Sequence, residues 1–313
     1  MKKSILLLFL FIPVFLFHSC KKSDITPAYL LLSEEDFVDC INVSNFNEVH
    51  KTKYDKDELD VIKQQSFKDV LVSINGKNLG YWKLPCKIPL LPNYSKLNNI
   101  QVIPCVRVPH TSLLAVPYYF LEPVPKEHFL EIEKEKEYRL DNLKYEYVPS
   151  VEFTILETFT NTTSFKPLDT VKYITPMEVF YHPELKKNVG RIALEEVDSL
   201  NYCNVVTSFF NLKAVGMRHF WEMKYKCESG EVVTYLNFRN TSTGIYQQDM
   251  VILPATTSWK KVYIDLTDII AWTSGANDLV SVRLGIRGNP NPDSPKATFY
   301  FDNIKLVTMF APY

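Results

Sequence analysis

The clearest alternation of apolar and polar positions lies between residues 70 and 84. Val70, Val72 and Ile74 alternate with their neighbours up to Asn75-Gly76, and a second apolar segment returns from residue 79. A period of two is typical of a strand with one buried face, and Asn-Gly is the strongest short signal for a two-residue hairpin turn. The pattern therefore predicts a β-hairpin.

Shorter segments flank this hairpin. Residues 88–91 and 100–108 predict further strands, which their prolines place at sheet edges or strand ends. Residues 36–41 and 56–65 predict short helices or loops. The mixed charge run at 131–137 is typical of a solvated connector, and the alternative is a charged docking face.

The second half of the chain carries apolar segments at intervals. In one of them Trp221, Met223 and Tyr225 alternate with Glu222 and Lys224, as half-buried antiparallel strands do. Similar patterns predict strands at 151–157, 189–194, 220–227, 232–238, 261–266, 280–286 and 298–307. Such strands predict a sandwich of two sheets. The expected fold class is therefore all-β, with two β-sandwich domains.

The first residues have a different pattern. Two lysines precede an apolar run at 5–17, which is shorter than the roughly 20 residues that span a bilayer, and His18-Ser19-Cys20 follows. Residues 17–24 resemble the lipobox of Bacteroidota lipoproteins. The resemblance implies a signal peptide at 1–19, a lipid on Cys20, a tether over 20–27, and attachment to the outer membrane on its periplasmic face or at the cell surface. An uncleaved anchor or an ordinary secretory signal is the alternative.

Charge and length narrow the function. The formal charge is −1, and it becomes −3 when Lys2 and Lys3 leave with the signal, so nothing favours nucleic acid as a partner. The length suits two ordinary domains. Abundant aromatics and few glycines favour packed β structure.

Cysteines after Cys20 are odd in number, so at most two disulfides can form. Cys86 with Cys105, and Cys203 with Cys227, are the pairs that neighbouring predicted strands suggest. The alternative is that these residues, like Cys40, are small apolar core residues. No Cys-x-x-Cys spacing points to zinc.

Residues 67–124 resemble the PEGA-like and Ig-like modules of envelope proteins, on the alternating strand, the Asn-Gly-Lys turn, the Leu-Gly pair and the following Pro85. The resemblance implies a small sandwich over 28–146. Such modules act as spacers or binding platforms and carry no catalytic residues.

Residues 258–268, 280–285 and 299–306 resemble the closing strands of jelly-roll carbohydrate-binding modules. The resemblance implies a jelly-roll domain over 147–313. Some of these modules hold a structural calcium, for which Glu157 and Asp302 are the corresponding acids. Calcium takes six to eight oxygen ligands, so backbone carbonyls would have to complete the site. The alternative role for Asp302 is a turn or cap residue.

Sugar binding needs exposed aromatic faces, with polar groups to fix the hydroxyls. Trp272, in a turn-rich segment, is the best exposed candidate. Arg283 and Arg287 are out of phase with their apolar neighbours and should project from the opposite face of their strand. The alternative for Trp272 is an apolar cover over a sheet edge.

No His-Glu-x-x-His, Gly-x-Ser-x-Gly or phosphate-loop motif occurs. The sequence therefore predicts a non-enzymatic, lipid-anchored envelope protein that presents a jelly-roll domain to a glycan or another extracellular ligand. The alternative is a structural or assembly subunit of an outer-membrane or surface protein complex.

Overall fold

The computed structural model describes residues 26–91, 97–109, 115–140, 142–168, 174–194, 203–240, 244–274, 278–291, 293–294 and 296–310. Of the described residues, 56% lie in strands and 10% in helices, which confirms the all-β class. The predicted signal peptide, Cys20 and most of the tether lie outside these ranges. None of the helices within them has the length and apolar character needed to cross a membrane.

The first half of the chain contains a 3-10 helix at Glu34–Phe37 and the helices α1 (Phe46–His50) and α2 (Lys56–Lys63). Its strands are β1 (Ala28–Leu32), β2 (Asp69–Ile74), β3 (Lys77–Lys83), β4 (Cys86–Leu90), β5 (Asn98–Arg107), β6 (Ala115–Pro117), β7 (Leu121–Pro123), β8 (His128–Leu130), β9 (Glu137–Tyr138) and β10 (Tyr145–Tyr147).

The second half contains the helix α3 (Thr267–Ser274). Its strands are β11 (Glu152–Glu157), β12 (Lys166–Pro167), β13 (Glu178–His182), β14 (Lys187–Leu194), β15 (Cys203–Val206), β16 (Phe210–Lys213), β17 (Met217–Cys227), β18 (Glu231–Asn240), β19 (Gly244–Pro254), β20 (Lys260–Asp265), β21 (Leu279–Asn289) and β22 (Ala297–Phe310).

The predicted hairpin is confirmed. β2 pairs with β3 across Asn75 and Gly76, and both turn residues have a positive φ, as the Asn-Gly signal requires. β2 and β3 belong to a five-stranded sheet with β5, β6 and β8, and β1, β4 and β9 form a separate three-stranded sheet.

The prediction that proline places the strand at 100–108 at an edge or a strand end is wrong. β5 pairs with β2 along most of its length, and its other side pairs with β8 at its start and with β6 at its end. Pro104 lies in the gap between those two short partners. A missing N–H is tolerated there because no ladder bond is needed on that side.

The second half forms a sandwich of two antiparallel sheets. Sheet I has the order β13-β14-β22-β17-β20, with β11 also on β22. Sheet II has the order β12-β15-β21-β18-β19, with β16 also on β21. The core between them is apolar and includes Trp221, Leu236, Leu284 and Phe301. Period-two alternation produces this arrangement, because it turns every second side chain of each strand into the space between the sheets.

The five cysteines of the described ranges are free thiols, so neither suggested disulfide forms. Cys86 lies on β4 of the three-stranded sheet, whereas Cys105 lies on β5 of the five-stranded sheet. Cys203 and Cys227 lie on opposite sheets of the sandwich, and packed sheets are about 10 Å apart. A disulfide needs Cα atoms closer than about 7 Å. Burial raises the pKa of the Cys203 thiol to about 12, as expected of a core residue.

The two halves share one hydrophobic core at the outer face of sheet I. Phe120 meets Phe220 at 5.2 Å between ring centroids, and Tyr147 meets Phe153 at 5.3 Å. Val307 and Met309 of β22 belong to the same cluster as the core of the first half. The predicted boundary at residue 147 falls at the end of β10, inside this shared core. The division into two domains stays a prediction.

Candidate functional site

The outer face of sheet II points away from the first half, because the first half packs on the opposite side of the sandwich. We call this surface the polar face. The face includes the apolar Val206, Val233, Ile245 and Ile252. Its polar side chains come from four neighbouring strands, Asn204, Tyr235 and Asn237 among them are buried, and they include Asn204, Tyr235, Asn237, Arg239, Gln247, Asp249, Arg283 and Arg287. They include amides, guanidinium groups, one carboxylate and one phenol. The face is therefore built for directional hydrogen bonding.

Strand register brings these residues side by side. Asn237 of β18 stands opposite Gln247 of β19 on one side and Arg283 of β21 on the other. Tyr235 stands opposite Asp249 and Gly285 in the same way. Directly opposed residues of antiparallel strands have side chains within contact distance. Strand pairing, much of it between segments distant in sequence, thus assembles the polar face.

The arginines are held by neighbours on the face. Nε of Arg283 donates to Oδ1 of Asn237 at 3.0 Å. Nη2 of Arg287 lies 3.1 Å from Oδ2 of Asp249, whose Oδ1 accepts a hydrogen bond from Nε2 of Gln247 at 2.7 Å. These contacts orient the guanidinium planes. Oriented guanidinium groups are suited to bidentate binding of hydroxyl, carboxylate or sulfate oxygens.

Tyr235 lies flat on the sheet because Gly285 leaves space for its ring. A Cβ at Gly285 would come within 2.1 Å of the Tyr235 ring. The Tyr235 hydroxyl donates to Oδ1 of Asn204. Burial raises the pKa of Tyr235, while Arg283 and Arg287 act in the opposite direction. The phenol therefore stays protonated and positions the amide of Asn204.

One end of the polar face opens into a cleft of about 630 Å³. Arg239 and Arg283 line it together with Phe209, Thr207 and Lys166. The guanidinium carbons of Arg239 and Arg283 lie 4.0 Å and 4.7 Å from the centroid of the Phe209 ring. This cleft combines an aromatic surface with several hydrogen-bond donors, which is the usual composition of a small-molecule site.

Trp272 is exposed, with 76% of its surface accessible, but it lies in the helix α3 and not in the predicted turn-rich loop. Ile270 and Ser274 of α3 are buried, and they are four residues apart. Residues with that spacing share one helix face, so Trp272 points to the other side. Within the described ranges, no hydrogen bond or ring contact joins it to Arg283 or Arg287.

Glu157 and Asp302 are both buried, and protein groups already engage them. Oε2 of Glu157 accepts hydrogen bonds from the backbone N–H and the hydroxyl of Ser164, at 2.6 Å and 2.8 Å. Oδ1 of Asp302 lies 2.8 Å from Nζ of Lys187. Among the described residues, no group of three or more His, Cys, Asp or Glu side chains is placed to hold a metal. This arrangement does not favour calcium, and the calcium site stays a prediction.

Of the residues on the polar face, only Arg283 and Arg287 were predicted from the sequence. Tyr235, Asn237 and Arg239 alternate with Leu236 and Phe238, so their orientation was readable once β18 was predicted. β19 was not predicted at all, because its first six residues are exposed on both faces and show no alternation. Phe209 had no signal in the sequence, since its role depends on a break between two strands.

No family model matches the chain, and no curated protein matches it. Solved structures match about half of it. A xylan-binding domain of carbohydrate-binding module family 22 has 10% identity and a TM-score of 0.34, over 51% of this chain and 97% of that domain. A family 11 carbohydrate-binding module of a Clostridium thermocellum cellulosomal cellulase has 14% identity and a TM-score of 0.32, over 50% and 94%. A putative sugar-binding protein from Bacteroides thetaiotaomicron has 11% identity and a TM-score of 0.30, over 47% and 88%.

Proposed function

We propose that this chain is a non-enzymatic, lipid-anchored envelope protein that binds a glycan on the polar face of sheet II. One observation carries the proposal: the face aligns guanidinium, amide and carboxylate side chains across neighbouring strands beside an aromatic cleft. Sugars present many hydroxyl groups and small apolar ring faces. A rigid sheet with directional donors and acceptors and an aromatic surface complements both features.

The arrangement of the two halves supports the same proposal. The first half covers the outer face of sheet I, where its aromatic side chains pack on Phe220 and Phe153. The polar face lies on the opposite side of the sandwich, where the first half does not cover it. A tether that begins at Cys20 would hold the molecule at a membrane while this face meets ligands in solution.

A glycan array with residues 21–313 tests the proposal, followed by affinity measurements on the best glycan. Replacing Arg287 with Gln removes its ion pair to Asp249 and should raise the dissociation constant roughly tenfold. The matched control is Arg218→Gln, since Arg218 packs on the ring of Tyr119 away from the polar face. The proposal would be contradicted if the protein bound no glycan of the array, or if Arg287→Gln and Arg218→Gln had equal affinities for the best glycan.

Trp272 is proposed as a second, separate contact for a long glycan chain. Its exposed ring could stack on a sugar without any rearrangement of α3. Trp272→Ala should then weaken retention on a polysaccharide column and leave the unfolding midpoint unchanged. Unchanged retention would remove Trp272 from the proposed site but not the polar face.

A structural subunit of an outer-membrane or surface complex is the second candidate function. β19 favours it, because within the described ranges this strand pairs on one side only, and Ile245 and Ile252 on it are exposed. Open strand edges are ready sites for strand pairing with another chain. Cross-linking from native membranes should then recover a stoichiometric partner through β19, and Ile252→Lys should abolish recovery of that partner.

A further inference from the structure

The cleft at the end of the polar face has a marked excess of positive charge. Among its described lining residues, Lys166, Arg239 and Arg283 are basic and none is acidic. The whole chain, in contrast, has a formal charge of −1. A concave site lined by one sign of charge concentrates ligands of the opposite sign. The charge of the cleft is therefore a local feature and does not reflect the composition of the protein.

A break between β15 and β16 places Phe209 in this cleft. The backbone N–H of Thr207 donates to the carbonyl of Leu284 at 2.9 Å, and the Thr207 hydroxyl accepts from the N–H of Leu284 at 3.1 Å. These two bonds replace regular pairing with β21 at that point. The chain between the two strands is then free to turn, and the Phe209 ring reaches the guanidinium groups of the next strands.

The contact with the Phe209 ring holds the guanidinium group of Arg239 in an orientation that can bind an anion. A guanidinium group that packs its flat face on a ring keeps its N–H donors in the plane of the group, where they can bind a carboxylate or sulfate in bidentate fashion. Arg287 on the same face already has a carboxylate partner in Asp249 at 3.1 Å. Arg239 is exposed and forms no ion pair with any acid of the described ranges. Its charge is available to a ligand.

We propose that the cleft selects acidic glycans, whose carboxylate or sulfate groups bind to Arg239 and Lys166. The proposal rests on glycan binding at the polar face and names the class of glycan. The hydroxyl of Ser208 lines the same cleft, is exposed, and suits a neutral hydroxyl of the same sugar, whereas the buried hydroxyl of Thr207 is already bonded to the backbone of Leu284 and Ser208. Arg283 adds to the positive potential and is held in place by Asn237.

Matched polysaccharides that differ only in charge test the inference. The probes are polygalacturonate, hyaluronan and dextran sulfate, each beside its uncharged counterpart: the two methyl-esterified uronates and plain dextran. At least one acidic member should bind residues 21–313 at least tenfold more tightly than its counterpart. Arg239→Gln and Lys166→Gln should each remove most of this preference, and added salt should weaken it. Arg218→Gln, the same change at another ring-packed arginine, should keep it.

The outcomes separate this inference from the proposed function. Equal affinity for charged and uncharged members overturns the acidic class and leaves glycan binding in place. A charge preference that survives Arg239→Gln and Lys166→Gln also overturns it, because the anion then binds elsewhere. If the protein binds none of the six polysaccharides and no glycan of the array, both the acidic class and glycan binding are overturned. Lys166 and Arg239 are exposed and Arg218 is half-buried, so circular dichroism should show the same fold for every variant and the same melting midpoint for Arg239→Gln and Lys166→Gln.

Discussion

The ammonium nitrogen of Lys305 lies 3.0 Å from the carbonyl oxygen of Ile62, in the last turn of α2. It also donates to the carbonyl of Val61 at 3.1 Å and lies 3.5 Å from Oε2 of Glu222. The last carbonyls of a helix have no partner within the helix, and a cation beside them is favourable. A buried lysine of sheet I thus completes a helix of the first half.

Replacing Lys305 with Met should lower the free energy of unfolding by about 3 kcal/mol. The change leaves the terminal carbonyls of α2 without a donor, while Lys261 still pairs with Glu222 at 3.2 Å, so the loss is at the low end for a broken buried pair. Chemical denaturation measures it. The control is Lys63→Met, whose ion pair with Asp39 is exposed and should contribute less than about 1 kcal/mol. Equal losses in the two variants would contradict a special role for Lys305.

Stability should increase with pH above about 7 because of Lys305. Burial lowers the pKa of Lys305 to about 7; Glu222 opposes this, and Lys261 and Lys224 add to it. A lysine of the unfolded chain has a pKa of about 10.4, so between these values the unfolded state binds more protons and the free energy of unfolding increases with pH. From about pH 7 to about pH 8.5, the wild type should gain roughly 1 to 2 kcal/mol relative to Lys305→Met.

Denaturation curves of both proteins at the two pH values provide this comparison. Cysteines and tyrosines that titrate in the same range contribute equally to wild type and variant, so they cancel in the difference. Parallel pH profiles for the two proteins would show that Lys305 keeps an ordinary pKa.

Gly285→Ala should disrupt the polar face. A methyl group at this position would meet the Tyr235 ring at 2.1 Å, so the ring must move, at a cost of roughly 1 to 3 kcal/mol. The midpoint temperature of thermal unfolding and the affinity for the glycan should both decrease. In the double variant with Tyr235→Ala the clash is absent, so the loss of stability should be smaller than the sum of the two single losses. A strictly additive double variant would rule out the clash as the cause.

Cys20→Ala should abolish incorporation of an alkyne-tagged fatty acid in cells and release the protein from the membrane fraction. The prediction depends on the lipobox-like segment at 17–24. Cys86→Ala is the control, since Cys86 is a half-buried free thiol of the folded part and should not carry lipid. Persistent label in Cys20→Ala would mean that the anchor prediction is wrong.

Strand positions were the most predictable part of this molecule. The hairpin at Asn75-Gly76 and the long strands of the sandwich follow from alternation and turn residues, which are local properties. Errors occurred where local signals stop. The segment with Trp272 is a helix, and β5 is paired on both sides although it contains Pro104. The phase of Arg283 and Arg287 was readable, whereas their partners were not, because Asn237 and Asp249 lie on other strands.

The sequence by itself determined which residues form strands and which face of each strand is apolar, because both depend on neighbours along the chain. It also carries the lipobox-like segment around Cys20. Tertiary structure decided what covers the polar side of each strand. Glu222 and Lys305 look in the sequence like residues of a solvated face, yet both are fully buried, because the first half of the chain packs on sheet I. Arg283 and Arg287 have the same alternation but lie on sheet II, on the opposite side of the sandwich. A period of two separates the two faces of a strand, but only long-range packing determines which of these faces meets protein and which stays at the surface of the sandwich.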